Sequence, residues 1–132
     1  MTLEPLINSA MPITQHSVAG VLATLVGAAQ LWLTKGTVLH RWLGYFWAGL
    51  IVFVALTGFF IFETEVAPPF NYLSKPLSAL VIMMLWWGIR LARAGKIKEH
   101  RQTMIQLFWL TMLIGLLTIY LFMFMLHMIS SV

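Results

Sequence analysis

His40-Arg41 and His100-Arg101 are the steps of this chain whose residue types and spacing are best suited to chemistry. A neutral imidazole can accept and donate a hydrogen bond, ligate a metal or take up a proton near neutral pH. Each of these two is followed directly by an arginine, a permanent cation with five N–H donors. Two imidazoles at one depth on facing helices are what a b-type haem needs as axial ligands. Its propionates need cations, which Arg41, Arg90, Arg93 and Arg101 can supply. The flat ring needs a small residue beside its ligand, and Gly44 lies one helical turn beyond His40. Trp47, Trp86 and Trp109 are candidates for lining a ring pocket. The metal-ligating candidates are therefore His40 and His100, with His16 as a weaker third.

A second chemistry uses the same residues. Gln30, His40, Arg41, His100, Arg101 and Gln106 form a polar set at one depth that can hold a quinone headgroup. The plainer reading stands beside both. Imidazoles, cations and indoles are at home at a membrane boundary, where they hydrogen-bond to water or lipid headgroups. Gln30 and Gln106 equally suit interhelical hydrogen bonds. A wire of two haems is disfavoured, because His127, needed for an outer pair with His16, lies 27 residues past His100. That is roughly 40 Å of helix and about half a turn out of phase, so His127 should face lipid or a partner protein. Met123, Met125 and Met128 beside His127 are of the soft type that binds Cu(I), but a two-residue step diverges on a helix and adaptable apolar filling is the better account.

What must position these residues is a membrane bundle. The 132 residues are 61% hydrophobic and 9% charged, with mean hydropathy +0.90. Soluble domains carry about a quarter charged residues. Each His-Arg step stands at the foot of an apolar stretch longer than the roughly 20 residues that cross a bilayer. There is no cysteine, which excludes disulfides and thiolate chemistry. No Ser-His-Asp set, HExxH motif or Gly-rich phosphate loop occurs, and none of the four acids falls within a predicted span, so an intramembrane carboxylate relay has no basis. The net charge of +4 has no aromatic-basic soluble face with it and is not a nucleic-acid signal.

The expected architecture is all-α: a four-helix transmembrane bundle in one domain over residues 1–132, with helices at about 16–34, 38–62, 76–93 and 100–129. The segment 1–14 lacks the basic start of a secretory signal and reads as a short tail entering the first helix near Pro12. Lys35-Gly36-Thr37 forms a tight turn, Glu63 to Lys75 a loop broken by Pro68 and Pro69, and Ala94 to Glu99 a second basic loop. Lys35, Arg41, Arg90, Arg93, Lys96, Lys98 and Arg101, seven of the eight Lys and Arg, fall on the side of the first and third connections. The positive-inside rule places that side in the cytoplasm and both termini in the periplasm of a bacterial inner membrane. The repeated order of helix, basic turn, His-Arg and helix, offset by 60 residues, reads as two parallel-repeated hairpins.

Helix interfaces in membranes favour small and polar residues. Helical spacing collects these on one face of each span: His16, Gly20, Ala23, Gly27, Gln30 and Thr34 on the first; His40, Gly44, Trp47, Ile51, Ala55 and Gly58 on the second; Ser74, Ser78, Val81, Leu85, Gly88 and Ala92 on the third; His100, Thr103, Met104, Leu107, Thr111, Gly115 and Thr118 on the fourth. These four faces are expected to meet, turning His16, His40 and His100 inward.

The segments QHSVAGVLATLVGAAQL, HRWLGYFW and IRLARAGKIKEHRQTM resemble the bacterial membrane-protein family catalogued as domain of unknown function 2306. The resemblance covers about residues 15–108 and falls on His16, Gln30, His40, Arg41, Gly44, His100, Arg101 and Met104. It implies the four-helix topology and marks those residues, but implies no activity. A looser likeness to small b-type cytochromes rests on four helices with histidines near their ends. Two functions are therefore expected as alternatives: a small redox or binding module holding haem b or a quinone between His40 and His100, or a cofactor-free accessory subunit of a larger respiratory or photosynthetic membrane complex, docked through the Met, Phe and Leu surface of the last two helices.

Overall fold

The computed structural model describes residues 11–65 and 70–131; Pro68, Pro69 and the segment before Met11 lie outside the described residues. Four helices follow in order: α1 Met11–Trp32, α2 Val38–Glu65, α3 Ser74–Arg93 and α4 Ile97–Ser130, with a 3₁₀ turn Phe70–Leu73 before α3. Among the described residues there is no strand. The stretches Val38–Phe60, Ser74–Arg93 and Ile97–Ser130 are each long and apolar enough to cross a membrane, and α1, at 22 residues, has comparable length. The helix count matches the sequence expectation, and every bound that differs shifts outward except the end of α1. α1 begins at Met11, because a proline in a first turn forfeits no helical hydrogen bond, and it ends at Trp32 rather than Thr34. α3 takes in Ser74 and Lys75 ahead of Pro76, and α4 begins at Ile97 rather than His100.

Two glycine turns fix the basic end. Gly36, with φ of 82°, closes the α1–α2 connection, and Gly95, with φ of 78°, closes α3–α4; side chains with a Cβ rarely adopt that left-handed backbone. At the first turn the Lys35 ammonium donates to the carbonyls of Gln30, Leu31 and Leu33, groups that the end of α1 leaves without helical partners. Thr37 then accepts the His40 N–H on its Oγ1 at 3.1 Å, an N-cap for α2. At the second turn Lys96 N–H bonds to Leu91 O and Gly95 N–H to Ala92 O, the paired bonds of a Schellman stop. His40 follows Gly36 by four residues and His100 follows Gly95 by five. Both His-Arg steps therefore fall in the opening turns of α2 and α4 at the same end of the bundle.

Each helix packs on its neighbours in sequence, and α4 also meets α1, which closes the ring. The diagonal pairs α1/α3 and α2/α4 make no such approach among the described residues. The core runs through the centre: Leu107 is fully buried, Ile51 is 2% exposed, and Ala23, Trp47, Ala55, Val81, Leu85 and Phe108 surround them. Most of these lie on the small-residue faces anticipated from spacing. Two glycines of those faces do not. A Cβ at Gly20 would meet nothing within 4 Å, because α1 turns the row of Ala19, Ala23 and Gly27 to its neighbours instead. Gly115 is exposed, since α3, with 20 residues, runs out alongside the 34-residue α4 at about that level. Beyond Ile114 most of the described apolar side chains of α4, among them Leu116, Ile119, Phe122 and Met123, are exposed and are what lipid would contact.

Candidate functional site at the basic end

The two unpaired diagonals leave a cavity of about 500 Å³ between the helices at the end where both His-Arg steps lie. That volume is in the range of small-molecule and cofactor sites. All four helices contribute to its wall: Gln30 and Leu31 from α1, His40, Arg41, Gly44 and Trp47 from α2, Ile89 and Arg93 from α3, and His100, Arg101, Met104 and Phe108 from α4. The six residues singled out by sequence for a cofactor, Gln30, His40, Arg41, Gly44, His100 and Arg101, are thus gathered around one space.

The floor is set by Gly27. A Cβ there would stand 2.7 Å from Trp47 Nε1 and 2.8 Å from the Phe108 ring, distances that real Cβ atoms essentially never show. The absence of a side chain lets indole and phenyl close over α1. The Trp47 N–H is satisfied by the Ala23 carbonyl at 3.0 Å, so the floor offers the cavity no free donor from the indole.

Above the floor the polar groups are fixed by backbone partners. Gln30 Nε2 donates to the main-chain oxygen of His40 at 3.0 Å. That carbonyl can only accept, so the bonded amide atom is the nitrogen and Oε1 is left over. The Gln30 amide lies directly beside Gly44: a Cβ there would be in ordinary van der Waals contact with Nε2 at 3.4 Å. On the opposite wall His100 Nδ1 lies 2.7 Å from the Gly88 carbonyl oxygen. The same logic makes Nδ1 the protonated nitrogen and leaves Nε2 of a neutral His100 with its lone pair. Two polar atoms of these lining residues, Gln30 Oε1 and His40 Nδ1, are buried and have no hydrogen-bond partner. An unsatisfied buried polar group costs about 1–3 kcal/mol.

The mouth is basic. Arg41, Arg93 and Arg101 are exposed at its wall, whereas the Lys35 ammonium is engaged with the end of α1.

Several residues grouped with this site by sequence lie elsewhere. Trp86 and Trp109, at 58% and 60% exposure, stand on the outside of the bundle and line no ring pocket. Arg90 sits over the Trp86 ring, 5.2 Å from its centroid, a cation–π contact on that outer face. Gln106 is exposed; it lies one residue before the fully buried Leu107 and so faces away from the bundle axis. His16 is inward, but its partner is Thr57 of α2, 2.8 Å away. The Thr57 hydroxyl donates to Phe53 O at 2.7 Å, so His16 Nδ1–H is the donor in that pair. His16 is 14 residues from Gln30 along α1, about 21 Å of rise, and takes no part in the cavity. His127 is exposed. Among the described residues no three His, Asp or Glu side chains gather as a metal site.

The two carbonyls that orient the site, Gly88 O and His40 O, escape sequence reasoning. Main-chain acceptors carry no residue-type signal. The one trace is Gly88 itself, where a Cβ would crowd Met104 at 2.7 Å and hold α4 away from α3.

No curated protein and no solved structure matches the chain significantly, so the likeness to small b-type cytochromes gains no support. A family described as "Predicted membrane protein (DUF2306)" matches over residues 13–132, further along α4 than the motifs alone reach. With nearly the whole length matched, the chain belongs to this family of membrane proteins.

Proposed function

We propose that this protein is a membrane-embedded binding module that takes the ring of a quinone-class ligand into the cavity at its basic end. The observation that carries this is the pair of buried, unpartnered atoms Gln30 Oε1 and His40 Nδ1, on two residues that line an otherwise mainly apolar cavity. A flat ring with polar substituents satisfies both while its apolar body packs on Leu31, Ile89, Met104 and the Trp47–Phe108 floor. The test is calorimetric titration of the purified protein, in micelles, with decyl-chain benzoquinone and benzoquinol. One ligand should bind per chain, and Gln30→Leu and His40→Leu should each weaken binding about tenfold, the equivalent of one hydrogen bond of about 1.4 kcal/mol. A folded wild-type protein that binds neither form would overturn the reading.

A b-type haem is the second reading, favoured by one observation. His100 holds its Nδ1–H on a carbonyl and keeps Nε2 available, the arrangement usual for a ligating histidine. Against it, the space beside Gly44 that a macrocycle would use is taken by the Gln30 amide. A b-type absorption spectrum abolished by His40→Ala and by His100→Ala, and kept in His127→Ala, would establish haem in place of the quinone. The same reading orients the bundle with its basic end toward the cytoplasm of a bacterial inner membrane, by the asymmetry of its Lys and Arg.

A further inference from the structure

We propose that the cavity selects ligands whose head donates hydrogen bonds, so that of the quinone class it holds the hydroxyl-bearing quinol in preference to the quinone. This deepens the binding reading above and rests on it. The preference follows from which polar atoms the backbone has already used.

Gln30 donates one of its two amide N–H groups to the His40 carbonyl and keeps Oε1 as a buried acceptor without a partner. His100, which lines the cavity, spends its N–H on the Gly88 carbonyl and, when neutral, keeps a lone pair on Nε2. Trp47 spends its N–H on Ala23 O. Lys35, the one lysine in the wall, spends its ammonium on the end of α1. The arginines are donors that stand exposed at the basic end, where water is their alternative partner, and Tyr45, further along α2, is 55% exposed. Among the side chains of the wall that are not exposed, the groups still able to offer a proton are the second N–H of the Gln30 amide and the His40 imidazole, whose buried Nδ1 can be either donor or acceptor. A quinone brings two more acceptors to this wall and leaves Gln30 Oε1 and His100 Nε2 unsatisfied. A quinol brings two O–H donors, which both atoms can accept. A site built to accept discriminates strongly against an analogue that cannot donate, because its own buried polar atoms then go unpaired.

The experiment compares decyl-benzoquinol, decyl-benzoquinone and the dimethyl ether of the quinol, titrated anaerobically into the wild-type protein in micelles at a pH above neutrality. The quinol should bind at least tenfold more tightly than either the quinone or the ether. The midpoint potential of the bound couple should accordingly rise by about 30 mV above that of the free couple for each tenfold preference. Gln30→Met, which removes the acceptor at similar length, should reduce the quinol preference to within about threefold. Quinone or ether binding as tightly as quinol would overturn the donor requirement while leaving a quinone-class site in place. Binding of none of the three would remove the site itself, and the inference with it.

Discussion

Gln30 reaches across the α1–α2 turn and donates its amide N–H to the main-chain oxygen of His40 at 3.0 Å. One side chain thereby does two opposed things. It ties two helices together, and it leaves a buried oxygen without a partner. Replacing it should separate the two effects. Gln30→Leu loses a hydrogen bond of about 1 kcal/mol but also removes the orphaned acceptor, whose cost is about 1–3 kcal/mol. The ligand-free variant should therefore unfold in detergent within a few degrees of wild type, while its ligand affinity falls. A large loss of thermal stability without ligand would show that the contact serves only to hold the helices.

The glycines should respond in opposite directions to the same change. At Gly20 an added Cβ meets open space, so Gly20→Ala should gain the roughly 0.5–1 kcal/mol that alanine offers inside a helix. At Gly27 it would strike Trp47 and Phe108 at under 3 Å, and Gly27→Ala should cost about 1–3 kcal/mol by overpacking. Thermal unfolding of the two variants side by side reads this directly. Equal stabilities would mean that the floor of the cavity is looser than its distances imply.

His100 both anchors α4 on α3 and faces the cavity, and two substitutions divide those roles. Asparagine can place an N–H near the position of Nδ1 and keep the bond to the Gly88 carbonyl, which is 2.7 Å in the wild type. Leucine cannot. His100→Asn should stay close to wild-type stability, and His100→Leu should lose about 1 kcal/mol. Both lack Nε2 and should bind ligand weakly. Ligand affinity intact in His100→Asn would assign the imidazole to packing alone.

Membrane orientation is testable without any ligand. A reporter active only in the periplasm, fused after α4, should be active, and the same reporter inserted at Gly36 should be silent. The reverse pattern would invert the assignment drawn from seven of eight Lys and Arg at one end.

Much of the architecture is legible in the sequence because membrane helices reveal themselves through long apolar runs, and their contacts through small residues at helical spacing. The Gly36 and Gly95 turns alone set His40 and His100 at one end of the bundle. Phase alone places Ile51, Leu85 and Leu107 inside. Hidden from the sequence is everything that depends on main-chain acceptors. Residue types offer His100 a side-chain partner such as Gln106, yet its partner is the carbonyl of Gly88. Spacing makes Gly44 look like room for a macrocycle, yet the Gln30 amide lies beside it. Trp86 and Trp109 share a depth with the site but not a direction, and depth is the easier of the two to read from a hydropathy pattern.

The layer formed by Trp47 and Phe108 over Gly27, backed by Ile51, Leu85 and the fully buried Leu107, gives the bundle a solid bottom. It is a cup, not a conduit. A ligand held between His40 and His100, as proposed, would be separated by this layer from the His16–Thr57 pair on its far side, so the two polar places in the bundle would act independently.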